Sequence, residues 1–256
     1  MSSQPVITKI LTTGKPSAVA LQALSNAKNV VSNSHKLYYV LGGFHSGDSP
    51  HKPVSTKDWD LSLLQGFNSF NTVTGATSYN SGKYGVDCSG FVRYCYGKAW
   101  GYDNFGGSAT CDQFKGHRGT AFWPIWKGID PTSIIKNPGL RNTLWAQDKL
   151  KVDYTETIKL LLPGDILYFS NWNPPQTNNL GTAPNPSILP DNDHTAIYAG
   201  ILPGTSTTLG FYGGKDIPTV LNAYNSQYGI RATSLVDAGT SSGYLQELLA
   251  IKRVLQ

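Results

Sequence analysis

The first sustained pattern along the chain lies in "SAVALQALSNAKNVVSNS", from Ser17 to Ser34. Val19, Leu21, Leu24, Ala27 and Val30 or Val31 recur at the spacing of one helical face, so an amphipathic helix is predicted. Residues 1–16 are polar and punctuated and form an N-terminal arm. "KLYYVLGG" follows the helix as a short extended segment ending in a glycine turn. Residues 44–83 are rich in Gly, Ser and Asn and hold no period, which marks a long insertion with at most a short helix near 58–64. "CSGFVRYCYGKAW", from Cys88 to Trp100, predicts a second helix. Asp87 is its N-cap, and Phe91, Val92 and Cys95 form its apolar face. Residues 101–157 form a second insertion with short helices.

The period then changes from helical to alternating. Runs rich in β-formers occupy 165–172, 194–202, 208–214, 219–224 and 248–255, separated by Gly and Pro, as in an antiparallel meander. The Pro- and Asn-rich stretch before His194 makes 171–193 a third insertion, a surface loop bordering any site at the start of the next strand. Helices first and strands after give an α+β fold, with 17–256 as one domain.

Bulk composition narrows the function classes. With 14% charged residues, 27 Gly and 15 Pro, the chain is a loop-rich globular protein and not a bundle or a disordered polymer. A net charge of +5 favours approach to anionic polymers. No Lys/Arg run exceeds two and no nucleic-acid motif occurs, so nucleic acid is not an expected partner. Cys88, Cys95 and Cys111 are an odd count without a C-x-x-C pair, which fits neither a disulfide framework nor a structural zinc site. No metal or other cofactor is expected. No apolar run is long enough for a signal peptide or a transmembrane segment.

The chemistry centres on Cys88. A thiol attacks as thiolate, and a helix N-terminus favours negative charge. Cys88 follows a capping aspartate at such a terminus, and Gly90 beside it leaves room for a substrate backbone. A buried, inert cysteine is the alternative on position alone. A base is needed for the reactive role. Of His35, His45, His51, His117 and His194, the last opens a strand, "HTAIYAG", after a polar loop. Asn222 is the odd polar residue inside the apolar run "TVLNAY", placed to orient an imidazole.

Several blocks, in order, resemble the NlpC/P60 cell-wall cysteine peptidases, a family with a minimal papain-like fold. They are "YYVLGG" (38–43), "VDCSGFVRY" (86–94), "LLPGDILYF" (161–169), "HTAIYAG" (194–200), "VLNAY" and "AIKRVL". The resemblance implies Cys88 as nucleophile, His194 as general base and acid, and Asn222 as the group that orients the ring. It implies Tyr39 beside the nucleophile, helping the Cys88 backbone N–H hold the oxyanion, and Asp87 and Ser89 lining the subsite before the scissile bond. The implied substrate is a peptidoglycan stem peptide, cut at the γ-D-glutamyl bond to the diamino acid. The three insertions and the Asn at the third position depart from the family's pattern. They leave open a thiol acyltransferase, another amide or ester hydrolase, or an inactive wall-binding module. Without a signal peptide or wall-binding repeat, the expectation is an antibacterial effector exported by a specialised secretion system. It would act in the target periplasm and be neutralised by an immunity protein. A phage lysin is the other route to the wall.

Overall fold

The computed structural model describes residues 14–32, 87–105, 119–130, 151–169, 194–203, 216–225, 229–235 and 248–255, with single positions between 133 and 149. The arm, the segment 36–43, the insertions 44–83 and 171–193 and the run 208–214 lie wholly or almost wholly outside them.

Helix α1 spans Ala18–Ser32. It starts there because Ser17 Oγ accepts the Ala20 N–H at 3.2 Å, filling one of the donors a helix start leaves open. Its buried face is Ala20, Ala23, Leu24, Ala27, Val30 and Val31. Leu21, expected on that face, is instead 49% exposed. The face is rotated toward alanines because the neighbouring backbone comes very close. A Cβ at Gly164 would lie 2.8 Å from both the Ala20 methyl and the Ala20 carbonyl oxygen, so only glycine fits opposite this alanine. Asn26 Nδ2 donates to the Cys95 carbonyl at 2.9 Å and ties α1 to the next helix.

Helix α2 spans Cys88–Trp100, as the sequence predicts. Its apolar face is not confined to Phe91, Val92 and Cys95. Every residue from Cys88 to Gly97 is buried, Arg93, Tyr94 and Tyr96 included. A helix covered all round is a central one, and α2 lies against α1 as well as strands β3 (His194–Pro203) and β4 (Asp216–Asn225). Gly101, at φ 95°, ends it by donating to the Gly97 carbonyl at 2.8 Å. A one-turn helix α3, Tyr102–Phe105, then folds back so that Phe105 stacks on Tyr96, ring centroids 5.3 Å apart.

Among the described residues, six antiparallel strands form one sheet in the order β1-β6-β2-β3-β4-β5. Strands β2 (Ile166–Phe169), β3 and β4 fall on expected runs, and β5 (Gly229–Ser234) extends the meander beyond β4. Strand β6 (Leu248–Arg253) returns to the free edge of β2, and β1 (Thr120–Phe122) pairs outside it. The sequence reading missed β5, whose "GIRATS" is polar and opens on glycine. The segment 101–157, expected to hold short helices, holds α3 as well as β1. A seven-residue helix α4, Tyr154–Leu160, capped by Asp153, leads into β2.

Alternation along the strands divides the core in two. Ile166, Tyr168, Ile197, Leu221, Ala223 and Ala250 join the core of α1 and α2. Leu167, Phe169, Ala196, Tyr198, Val220 and Ile251 join a second cluster with Phe122, Trp126 and Leu161. Both faces of the sheet are therefore covered. The central strands accordingly read as continuous apolar runs in place of strict alternation.

The Pro163-Gly164-Asp165 corner locks the helices to the sheet. Arg253 Nε and Nη2 donate to Asp165 Oδ1 and Oδ2 at 2.7 and 2.6 Å, a buried two-pronged pair. Leu162 N–H donates to the same carboxylate at 2.8 Å. Burial pushes the Asp165 carboxyl up, and the bonds from Arg253 and Leu162 pull against that. The Tyr96 hydroxyl of α2 donates to the Gly164 carbonyl, and Gly164 N–H donates to the Tyr198 carbonyl at 2.8 Å. The corner thus fixes where α2, and with it Cys88, sits relative to β3.

Candidate active site

Asp87 makes the start of α2. Its Oδ1 accepts the Gly90 N–H at 2.6 Å and the Ser89 hydroxyl at 2.8 Å, and its carbonyl accepts the Phe91 N–H at 2.9 Å. One carboxylate oxygen thereby fixes the turn that holds Cys88 at the first helical position. Cys88 is 6% exposed, and Asp87 and Ser89 are buried with it. Cys95, on the same helix, is fully enclosed, and burial pushes its thiol well up, so it has no nucleophilic setting.

His194 opens β3, opposite Phe169 of β2. The two rings lie 5.9 Å apart at 39°, so Phe169 supplies an apolar wall for the imidazole. On the other side, Ile197 pairs with Leu221. That register brings Asn222 level with Ala196, two residues diagonal from His194 and on the same face of the sheet. The side chains meet: His194 Nε2 and Asn222 Oδ1 are 3.1 Å apart. Asn222 is completely buried. Its Nδ2 donates to Thr233 Oγ1 at 2.9 Å and to the Arg231 carbonyl at 3.4 Å.

Those two bonds decide the chemistry of the ring. With Nδ2 committed to β5, Asn222 presents its oxygen to His194. An oxygen acceptor requires His194 Nε2 to carry the proton, so Nδ1 keeps the lone pair. Burial lowers the His194 pKa to about 4. The Asn222 bond and the negative charge of Asp87 oppose that shift without reversing it. The ring is therefore neutral at pH 7 and able to accept a proton. The influence of Asp87 also shows that the capped start of α2 and the start of β3 share one electrostatic neighbourhood.

No family model matches the chain, and no curated protein matches it. Among solved structures it is similar to the peptidoglycan hydrolase RipB from Mycobacterium tuberculosis, at 16% sequence identity and a TM-score of 0.37. That likeness spans 96% of this chain and 75% of the other. At that similarity the chemistry has to be read from the side chains themselves.

Of the residues expected at the site, Asp87, Cys88, Ser89, His194 and Asn222 are described, and the His194–Asn222 pair is in hydrogen-bond contact. Tyr39, Cys111 and the other four histidines lie outside the described residues. Among the described residues no group of three or more His, Cys, Asp or Glu could hold a metal ion. Sequence reasoning missed Thr233 and Phe169 as neighbours of the pair. Phe169 lies in a predicted strand but shows its role only through its register with His194. Thr233 lies in the strand that was not predicted.

Proposed function

We propose that this chain is a cysteine peptidase or amidase of the NlpC/P60 kind, with Cys88 as nucleophile, His194 as base and acid, and Asn222 as orienting residue. The observation that carries the reading is the 3.1 Å contact between His194 Nε2 and Asn222 Oδ1. The Asp87 cap, which seats Cys88 on a helix N-terminus and whose charge acts on the same ring, supports it.

The steps follow from these groups. His194 Nδ1 takes the Cys88 Sγ proton, and the thiolate adds to the scissile carbonyl carbon. The oxyanion is held by the Cys88 backbone N–H, from the first turn where no preceding helical carbonyl competes for it. By the resemblance, the Tyr39 hydroxyl assists. The imidazolium, stabilised through Nε2–H by Asn222, gives its proton to the leaving amine, and the C–N bond breaks to leave a thioester on Cys88. His194 then takes a proton from water, whose oxygen attacks the thioester. The acid product leaves and Cys88 recovers its proton.

The substrate is a peptidoglycan stem peptide, cut at the γ-D-glutamyl bond to the diamino acid. This follows from the ordered blocks at 86–94, 161–169 and 194–200, and the net charge of +5 suits an anionic polymer. Asp87 and Ser89 border the subsite before that bond. The chain acts as an exported antibacterial toxin with a cognate immunity protein. Mass spectrometry of muropeptides digested by wild type and by Cys88→Ala tests the reading. New amines and shortened stems with the wild type alone are the expected result. Binding without cleavage by either protein overturns it in favour of a wall-binding module.

A further inference from the structure

Thr233 sits on β5, one strand beyond Asn222, and touches neither Cys88's helix cap nor the His194 ring in any hydrogen bond described above. Its Oγ1 accepts from Asn222 Nδ2 at 2.9 Å, while the second acceptor, the Arg231 carbonyl, stands at 3.4 Å. An Asn side chain has two nearly isosteric ends, and only its hydrogen bonds decide which end faces a given neighbour. At this position the decision has a consequence. The oxygen end turned to His194 puts the ring proton on Nε2 and the lone pair on Nδ1. The amide end turned to His194 would do the reverse.

We infer that Thr233 is a positioning residue of the site: its hydroxyl anchors the Asn222 amide nitrogen that the Arg231 carbonyl orients, and so holds the His194 tautomer that can serve Cys88. This rests on the thiol–imidazole reading above. The Arg231 carbonyl, which can only accept, sets which end of the amide turns to β5, but at 3.4 Å it holds that end weakly, and the Thr233 hydroxyl at 2.9 Å is the closer anchor. Thr233 is also well suited to the task structurally. It is only half-buried, and β-branching suits its strand, so the hydroxyl can be removed without opening a core cavity.

The test uses two variants and two readouts that need no substrate. Thr233→Val keeps the shape and removes the acceptor; Thr233→Ser keeps the acceptor and removes the methyl. The first readout is the rate of Cys88 alkylation by iodoacetamide, followed by peptide mass spectrometry. The second is the tautomer of His194 from its ring ¹⁵N shifts. Thr233→Val should slow alkylation on the order of fivefold, the size of one neutral hydrogen bond, and mix the two ring tautomers. Thr233→Ser should match wild type in both. If Thr233→Val misfolds, Thr233→Ala removes the same hydroxyl. Wild-type rates and a single Nε2–H tautomer in the folded Val or Ala variant would overturn the role of Thr233 while leaving the thiol–imidazole pair intact. Wild-type Cys88 that alkylates no faster than in His194→Ala would overturn the pair itself, and the Thr233 role with it.

Discussion

His194 Nε2 lies 3.1 Å from Asn222 Oδ1, a contact made between two strands whose residues are 28 positions apart. Removing the oxygen leaves the ring proton in a buried place without its acceptor. If His194 shuttles the proton as proposed, Asn222→Ala lowers turnover on the order of 10²-fold with little change in KM, because the ring then serves proton transfer and not substrate affinity. Steady-state kinetics on a stem-peptide substrate separate the two parameters. A change in KM alone would assign Asn222 to binding.

The buried imidazole makes a pH prediction with a definite sign. The folded pKa is about 4 and the unfolded value about 6.5. As pH falls below 6.5 the unfolded chain takes up the proton first. The stability contributed by the neutral buried ring is complete above pH 6.5, is lost through the window down to about 4, and is gone below it. The span is roughly 3 kcal/mol. Urea melts between pH 4 and 7 should show this slope, and His194→Gln should flatten it. The acid limb of Cys88 alkylation should lie well below 6.5 for the same reason. A limb at the ordinary histidine value would show that the ring is solvated.

Asp87 has two separable effects, one through a hydrogen bond and one through charge. Asp87→Asn keeps an oxygen for Gly90 N–H and removes the charge that favours protonated His194. Its melting temperature should stay near wild type while the His194 titration, followed by NMR, moves further down. Asp87→Ala loses the cap as well and should cost about 1 kcal/mol. Equal stability of the Asn and Ala variants would mean that the cap does not hold the helix.

The Asp165–Arg253 pair is buried on both sides. Arg253→Met strands a carboxylate that has no other cation described beside it, and should cost about 3–5 kcal/mol in chemical denaturation. Asp165→Leu combined with Arg253→Met should recover part of that loss, since no charge is then left uncompensated. Because the corner also seats Gly164 against Tyr96 of α2, the single variant should slow Cys88 alkylation too. A stability loss with unchanged alkylation would uncouple the corner from the site.

Much of this molecule is written locally. Helix α2 begins and ends where Asp87 and Gly101 dictate, since a cap and a positive-φ glycine act within a few residues. Strands β2, β3, β4 and β6 follow from alternating or continuous apolar runs, and His194 and Asn222 stand out as polar residues at the start of one apolar strand and inside another. What the tertiary structure alone decided is who faces whom. Leu21 faces solvent because Ala20 must meet Gly164. "GIRATS" becomes a strand because β4 offers it an edge, and Thr233 reaches Asn222 only through that pairing. Arg253 finds Asp165 across 88 residues. Caps and periods are short-range energies and can be read from neighbours in the chain. Register and amide orientation are set by hydrogen bonds between distant segments, and no local pattern encodes those.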